Sequence, residues 1–196
     1  WGNPCVDWPP LFAFLDTRRI PEPSQVRQVD FTTSSPGVSP RSNWLTVDSQ
    51  TKPMAFSEVH LSLDPEKRRF QGKTENVRRM SLDLSRAFPN GQSEAPVTVE
   101  IDGQTLGGLK PIVVGDTQRV WLERSDSSWK ALSGPPSPAL KGPHRYGPFK
   151  NGFRNEFLFV YGTRGTPEEN RWSFAKARYD AETFGYRGNG SVDVLS

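Results

Sequence analysis

One cysteine, two histidines and two methionines among 196 residues leave little material for metal or redox chemistry. Cys5 has no partner for an internal disulfide or a thiolate cluster, and its mostly apolar neighbours suit an inert buried thiol. His60 and His144 form no His-x-x-x-His pair, so no zinc site is expected. The nearest approach to a calcium loop, Asp64-Pro65-Glu66-Lys67-Arg68, turns basic where a third acid should stand. No apolar run approaches about 18 residues, so no membrane span is expected. The first residues carry neither Met nor a charged-then-apolar leader, as in a mature or excised segment. The nucleophile turn Gly-x-Ser-x-Gly is missing as well. Gly37-Val38-Ser39-Pro40-Arg41 lacks its second glycine, and ester or peptide hydrolysis by that route is not expected.

Charge of one sign is also lacking. The chain has 25 basic and 22 acidic residues, a net charge of +3. Arginine pairs (Arg18-Arg19, Arg68-Arg69, Arg78-Arg79) are separated by acids or apolar residues rather than gathered into a stripe. This is the pattern of a solvated surface, and no nucleic-acid partner is expected.

Proline and glycine are plentiful, 18 and 17 residues, while hydrophobic residues make up only 34%. That balance favours a turn-rich, mainly β protein over a helical bundle. Four stretches differ in pattern. In residues 1–24, Asp7 can cap a helix opened by Pro9 and Pro10, with Leu11, Phe12, Phe14 and Leu15 on one face. Arg18 and Arg19 follow, and Pro21 and Pro23 stop it. A helix of about three turns must pack on something.

Residues 28–132 alternate with period two. Val59, Leu61 and Leu63 share a face, as do Met80, Leu82 and Leu84, and Val97, Val99 and Ile101. One buried and one wet face per strand is the mark of antiparallel sheets, and the turn spacing predicts an antiparallel β-sandwich. Asp102-Gly103 signals a tight hairpin, and Ser125 to Ser128 forms a polar turn before Trp129. Residues 133–148, with five prolines and three glycines, read as a linker or an extended strap over a surface.

Residues 149–196 change period again. Phe157 to Tyr161 is a continuous apolar run, expected to be covered on both faces. Thr166-Pro167-Glu168-Glu169 is a capping box opening a helix that ends near Gly185, and Ser191 to Leu195 is a second strand. Strand, helix and strand make a βαβ unit with a parallel sheet, here too small to cover itself. The expected fold is therefore mainly β: a sandwich flanked by an N-terminal helix and the start of an α/β domain. Both ends read as parts of a longer polypeptide.

Three candidate sites follow from the residues. The loop Gly162, Thr163, Arg164, Gly165, Thr166 lies where a parallel strand meets a helix N-terminus, an arrangement that can hold a ligand. It lacks both Gly-x-x-x-x-Gly-Lys-Ser/Thr and Gly-x-Gly-x-x-Gly, so a tight turn with a capping threonine is preferred. Trp44, Trp121 and Trp129 could form an aromatic platform if exposed. Trp121 is the best placed, being out of phase with Val120 and Leu122. His60 shares a face with Glu58, which fits a general base or an exposed cross-strand pair equally well. No catalytic, metal or cofactor site is assigned.

The stretch WGNPCVDWPPLFAFL resembles the tail of the α/β-hydrolase domain in large bacterial proteins related to prolyl oligopeptidases and polyhydroxyalkanoate depolymerases. KTENVRRMSLDL, VTVEIDGQ, RYGPFKNGFRNEFLFVYGT, GTPEENRW and AKARYDAETFGYRGNGSVDV are similar to the region that follows it. The resemblance implies that Trp1 and Gly2 end the loop bearing the catalytic histidine, and that Asp7 to Arg19 form the hydrolase domain's closing helix. The histidine itself is not in this chain. It implies further a secreted or periplasmic serine hydrolase as the parent, with the hydrolase domain and a C-terminal α/β domain as partners. The preferred reading of this chain is a non-catalytic accessory segment that packs against and orients the hydrolase domain. The alternative is a carbohydrate- or polymer-binding sandwich module.

Overall fold

A computed structural model describes residues 8–88, 92–147, 149–154 and 156–196. Asp7, Cys5 and the Trp1-Gly2 pair lie outside the described residues. The chain divides into two units, 1–146 and 147–196.

The first unit is mainly β. Helix α1 (Pro9–Asp16) precedes strands β1 (Gln28–Thr33), β2 (Arg41–Ser42), β3 (Leu45–Gln50), β4 (Ser57–Asp64), β5 (Arg69–Glu75) and β6 (Val77–Asp83). A short helix α2 (Leu84–Ala87) leads to β7 (Val97–Ile101), β8 (Gln104–Leu109), β9 (Ile112–Val114), β10 (Thr117–Ser125) and β11 (Ser128–Ala131). One sheet runs β1-β4-β5-β7-β8, the other β11-β10-β6-β3-β2 with β9 also paired to β10. The inward stripes expected from alternation form the core: Val59, Leu61, Leu63, Met80, Leu82, Val97, Val99 and Ile101 are all buried. Trp44 meets Phe70 edge-on at 5.0 Å, and Phe70 meets Phe88 at 6.1 Å.

Pairing is antiparallel with one exception: β5 and β7 run parallel. The chain leaves β5, crosses to the other sheet as β6, and returns as β7, so two reversals restore its direction. The strand in the second sheet provides the long crossover that parallel neighbours need.

Asp102 does more than shape a turn. Its φ is 51°, that of Gly103 is 81°, and Ile101 pairs with Gln104, as a two-residue hairpin requires. Its carboxylate also accepts from Thr74 N at 2.7 Å, Thr74 Oγ1 at 2.7 Å and Trp129 Nε1 at 2.8 Å. Gln104 and Trp129 exchange two further backbone–side-chain bonds, so this hairpin ties one sheet to the other.

Two strands depart from alternation. Every residue of β3 is buried, and β6 is buried except at Arg78. The wet face expected there is covered by residues 133–146, the strap described below. Helix α1 does the reverse. Trp8, Leu11, Phe12, Phe14 and Leu15 are each 41% exposed or more, and the helix buries no residue. It ends at Asp16, before Arg18, whose guanidinium lies over the Phe14 ring.

In the second unit, β12 (Leu158–Val160) and β13 (Asp193–Leu195) pair in parallel around α3 (Pro167–Gly188). The capping box at Thr166 and Glu169 is complete, and the helix runs to a left-handed Asn189, past Gly185. Phe153, Phe157 and Phe184 form an aromatic cluster with centroids 5.0 to 5.7 Å apart. Leu158 and Val160 are 48% and 73% exposed, so the run expected to be covered on both faces is covered on one. Among the described residues of this unit, a two-stranded sheet with a single helix leaves its second face exposed.

Asp102→Ala should lower the stability of the first unit by about 2 kcal/mol, because three short hydrogen bonds to one carboxylate and its longer pairing with Arg124 are lost. Asp102→Asn keeps the turn conformation and should lose less. Urea denaturation of the three proteins checks the order, and equal losses would show that turn geometry rather than the bonds matters.

Candidate functional site

The outward face of β3, β6 and β10 is polar and almost closed. In register across the strands stand Thr46, Ser81 and Trp121; beside them are the directly opposed pairs Arg79–Glu123 and Asp83–Arg119. The Arg79 guanidinium places Nε and Nη2 on Glu123 Oε1 at 3.2 and 2.6 Å. Arg119 Nη2 donates to Asp83 Oδ2 at 3.0 Å, while Asp83 Oδ1 accepts from the Arg86 backbone and caps α2. Both pairs are thus closed by short charge-assisted bonds.

The strap crosses this face and is fastened to it. Arg79 Nη1 donates to Lys141 O at 3.0 Å. The Gln50 backbone N–H donates to the Tyr146 hydroxyl at 3.1 Å, and Ser35 Oγ donates to Tyr146 O at 3.1 Å. The strap also folds on itself: Leu140 N donates to Ser137 O, Arg145 N to Gly142 O, and His144 Nε2 bonds Pro138 O at 2.8 Å. A carbonyl can only accept, so His144 carries its proton on Nε2 and leaves Nδ1 as an acceptor when neutral. Proline suits this path because it fixes an extended backbone without needing partners for its nitrogen.

Between strap and sheet is a cavity of about 450 Å³. Trp121, Arg119 and Asp48 line it from the sheet, and Pro136, Pro138 and His144 from the strap. Asp48 occupies a bulge: Val47 pairs with Met80 and Ser49 with Arg79, so Asp48 is the extra residue. Bulges re-aim side chains in this way. Asp48 is 8% exposed, and its Oδ2 has no well-aligned hydrogen-bond partner. Burial pushes its pKa up to about 6, against the opposing influence of the Ser81 hydroxyl and the Arg79 and Arg119 guanidiniums.

The sites expected from sequence fare differently. Trp44, Trp121 and Trp129 are 0%, 6% and 2% exposed. Trp44 donates Nε1 to Val26 O, and Trp129 donates to Asp102. They lie on different faces and make no exposed platform. Trp121 does point outward, as its phase requires, but the strap covers it.

The loop Gly162, Thr163, Arg164, Gly165, Thr166 is filled by its own helix. Gly165 N donates to Asn170 Oδ1 at 3.0 Å and Thr166 N to Glu169 Oε2 at 2.7 Å. Asn170 Nδ2 also donates to Thr163 O and Gly165 O. Two of the loop's backbone donors, at Gly165 and Thr166, are occupied, one by a carboxylate whose pKa the Thr166 bond lowers. The turn-and-cap reading describes this loop.

His60 bonds Asp30 Oδ1 through Nδ1 at 2.7 Å, and Glu58 stands farther off at 3.9 Å. That bond, with a second from Gln28, lowers the Asp30 pKa. The group lies on the exposed face of the five-stranded sheet, where Gln28, Gln71 and Lys73 share a shallow groove with it. It is a cross-strand pair. Among the described residues no cluster of His, Cys, Asp or Glu could hold a metal ion, and no helix is long and apolar enough to cross a membrane.

No protein-family model, curated protein or solved structure matches the chain.

Asp48 escaped the sequence reading because a single aspartate in an alternating strand looks like surface. The signal that could have found it is collective: Asp48, Arg79, Ser81, Asp83, Arg119 and Glu123 share the face of Trp121, ahead of a proline-rich stretch.

Arg79→Ala should cost about 3 kcal/mol, since it leaves Glu123 without its cation and frees the strap. Limited proteolysis should then cut within residues 133–146 before the sheets. An Arg79→Ala strap as resistant as the wild type would argue against the fastening.

Asp48 has its folded pKa above the unfolded 3.8. Its ionisation therefore weakens the fold as pH rises from about 4 to about 6, by about 3 kcal/mol at the plateau. Asp48→Asn should be more stable than the wild type at about pH 7.5, by up to that amount, with the gap closing near pH 4. Denaturation at both pH values reads the difference, and a gap independent of pH would contradict this account of Asp48.

Proposed function

We propose that the chain is a non-catalytic accessory segment of a larger, secreted serine-hydrolase-like protein, in which the β-sandwich packs against a hydrolase domain and orients it. The observation that carries this reading is helix α1. Trp8, Leu11, Phe12 and Leu15 recur at intervals of three and four residues and form one apolar stripe, exposed along its whole length. An eight-residue helix has little stability of its own, so packing of that stripe is what would hold it. The family resemblance supplies the partner: the stripe belongs to the closing helix of an α/β-hydrolase domain, and the sandwich follows directly behind it.

A polymer-binding role for the sandwich is the alternative. Its aromatic form has lost support with the burial of the three tryptophans. What favours it is the polar groove beside His60, where Gln28, Gln71 and Lys73 offer hydrogen bonds to a hydroxylated chain.

The test is calorimetry between this chain and a separately expressed hydrolase domain of the family it resembles. Saturable binding is expected, weakened about tenfold or more when Leu11 and Leu15 are both changed to Ser. A fluorophosphonate probe should leave the chain unlabelled. Covalent labelling, or a double variant that binds like the wild type, would falsify the accessory reading. Glycan-array binding lost in Gln71→Ala, without affinity for the hydrolase domain, would transfer support to the alternative.

A further inference from the structure

We infer that the cavity under the strap is a binding site for an alkylammonium group, a cationic head on an apolar stem, with Asp48 as its counter-charge. The argument begins with a charge count on the covered face. Arg79 is closed on Glu123 and Arg119 on Asp83, so these four groups cancel in pairs. Asp48 is left over. It is buried, it lines the cavity, and its Oδ2, closed to solvent, has no well-aligned hydrogen-bond partner. A buried carboxylate without a directly paired cation is costly, and a cation entering the cavity beside it lowers that cost.

The shape selects the rest of the ligand. A volume of about 450 Å³ lies within the range of small-molecule sites. Val114, Pro136, Pro138 and Pro143 give it apolar walls suited to methylene groups. The Trp121 indole lies in the same wall as Asp48 and attracts a cation placed over its ring. The other charged groups at the cavity have partners of their own. Arg119 is held by Asp83, and Lys141 turns its Nζ to Arg145 O. His144 is fixed by Pro138 O and offers an acceptor when neutral. An anionic ligand would place its charge beside Asp48. A free alkylamine and a lysine side chain of a peptide share the required chemistry.

Binding should depend on pH in a stated direction. Asp48 ionises at about 6, with Ser81, Arg79 and Arg119 acting on it from the sheet and Lys141 and His144 of the strap lining the same cavity. Protonation of Asp48 removes the counter-charge. Affinity therefore falls about tenfold from about pH 7.5 to about pH 5, as the ionised fraction of Asp48 falls.

The experiment titrates butylamine, and in a second arm capped lysine, into the whole chain while following the Trp121 indole N–H by NMR. Saturable millimolar binding is expected for at least one probe, with a fall of about tenfold in Asp48→Asn. Butyrate and butanol should not bind. Capped lysine binding more tightly than butylamine assigns the site to a peptide side chain, and equal affinities assign it to a free amine. No saturable shift with either amine overturns the inference. So does equal affinity in Asp48→Asn, whose retained fold is read from its unfolding curve, or wild-type binding that strengthens at low pH.

Discussion

The first unit depends on one buried guanidinium. Arg79 is 4% exposed and uses three nitrogens, two on Glu123 across the β6–β10 ladder and one on the Lys141 carbonyl of the strap. A lysine could not do this, because its ammonium has no planar fork with separated donors. The same residue thereby neutralises an acid within the sheet and fixes the element that closes over it. The consequences spread outward. With the strap fastened, the polar face of β3, β6 and β10 loses its water, Trp121 is covered, and each unpaired charge on that face becomes expensive.

Much of the fold was legible from periodicity, because burial of one face is a demand every residue of a strand meets separately. Val59, Leu61 and Leu63 or Val97, Val99 and Ile101 each carry the signal without reference to any distant segment. Asp102-Gly103 and the Thr166–Glu169 capping box were legible for a related reason: their bonds close within a few residues. The candidate site was not legible, and the physical cause is its non-locality. Whether Trp121 and Asp48 face water depends on residues 133–146, which reach the sheet through bonds such as Ser35 to Tyr146 that no local pattern encodes. The parallel pairing of β5 with β7 escaped for the same reason, being decided by where β6 goes. The loop at Gly162 to Thr166 shows the converse. Its geometry suits an anion, but Asn170 and Glu169, one turn into the helix, reach back and take the donors.

The second unit poses a different balance. Its helix buries no residue, and Trp172, Phe174 and Tyr179 are each 46% exposed or more. Its order rests on local devices: a capping box, the pairs Arg178–Glu182 and Lys176–Asp180, a left-handed Asn189, and a small aromatic cluster. Such devices contribute a few tenths to about one kcal/mol each, less than a shared core provides. A parallel sheet with one bare face is the arrangement that further packing would stabilise most. Helix α1 raises the same issue in the first unit, with apolar side chains arranged for contact and turned outward. The proposed accessory role gives both surfaces a purpose.

Asp48 stands apart from that account, since packing against a neighbouring domain does not explain a buried carboxylate with no cation directly opposite. Replacing it by an amide or an alanine would be an easy route to a more stable fold, given that single domains are only about 5–15 kcal/mol more stable than their unfolded chains. The surrounding chemistry shows that the fold can balance charge where it needs to: both neighbouring acids on this face, Asp83 and Glu123, have arginines directly opposite. Asp48 alone is displaced by a bulge out of the register that would have given it such a partner. Local conflicts of this kind, one acid held away from compensation beside a lined cavity, are where folds give up stability for a site. The bulge, the strap and the leftover charge are thus parts of one arrangement, in which Arg79 closes the cover and Asp48 supplies the charge to be met inside it.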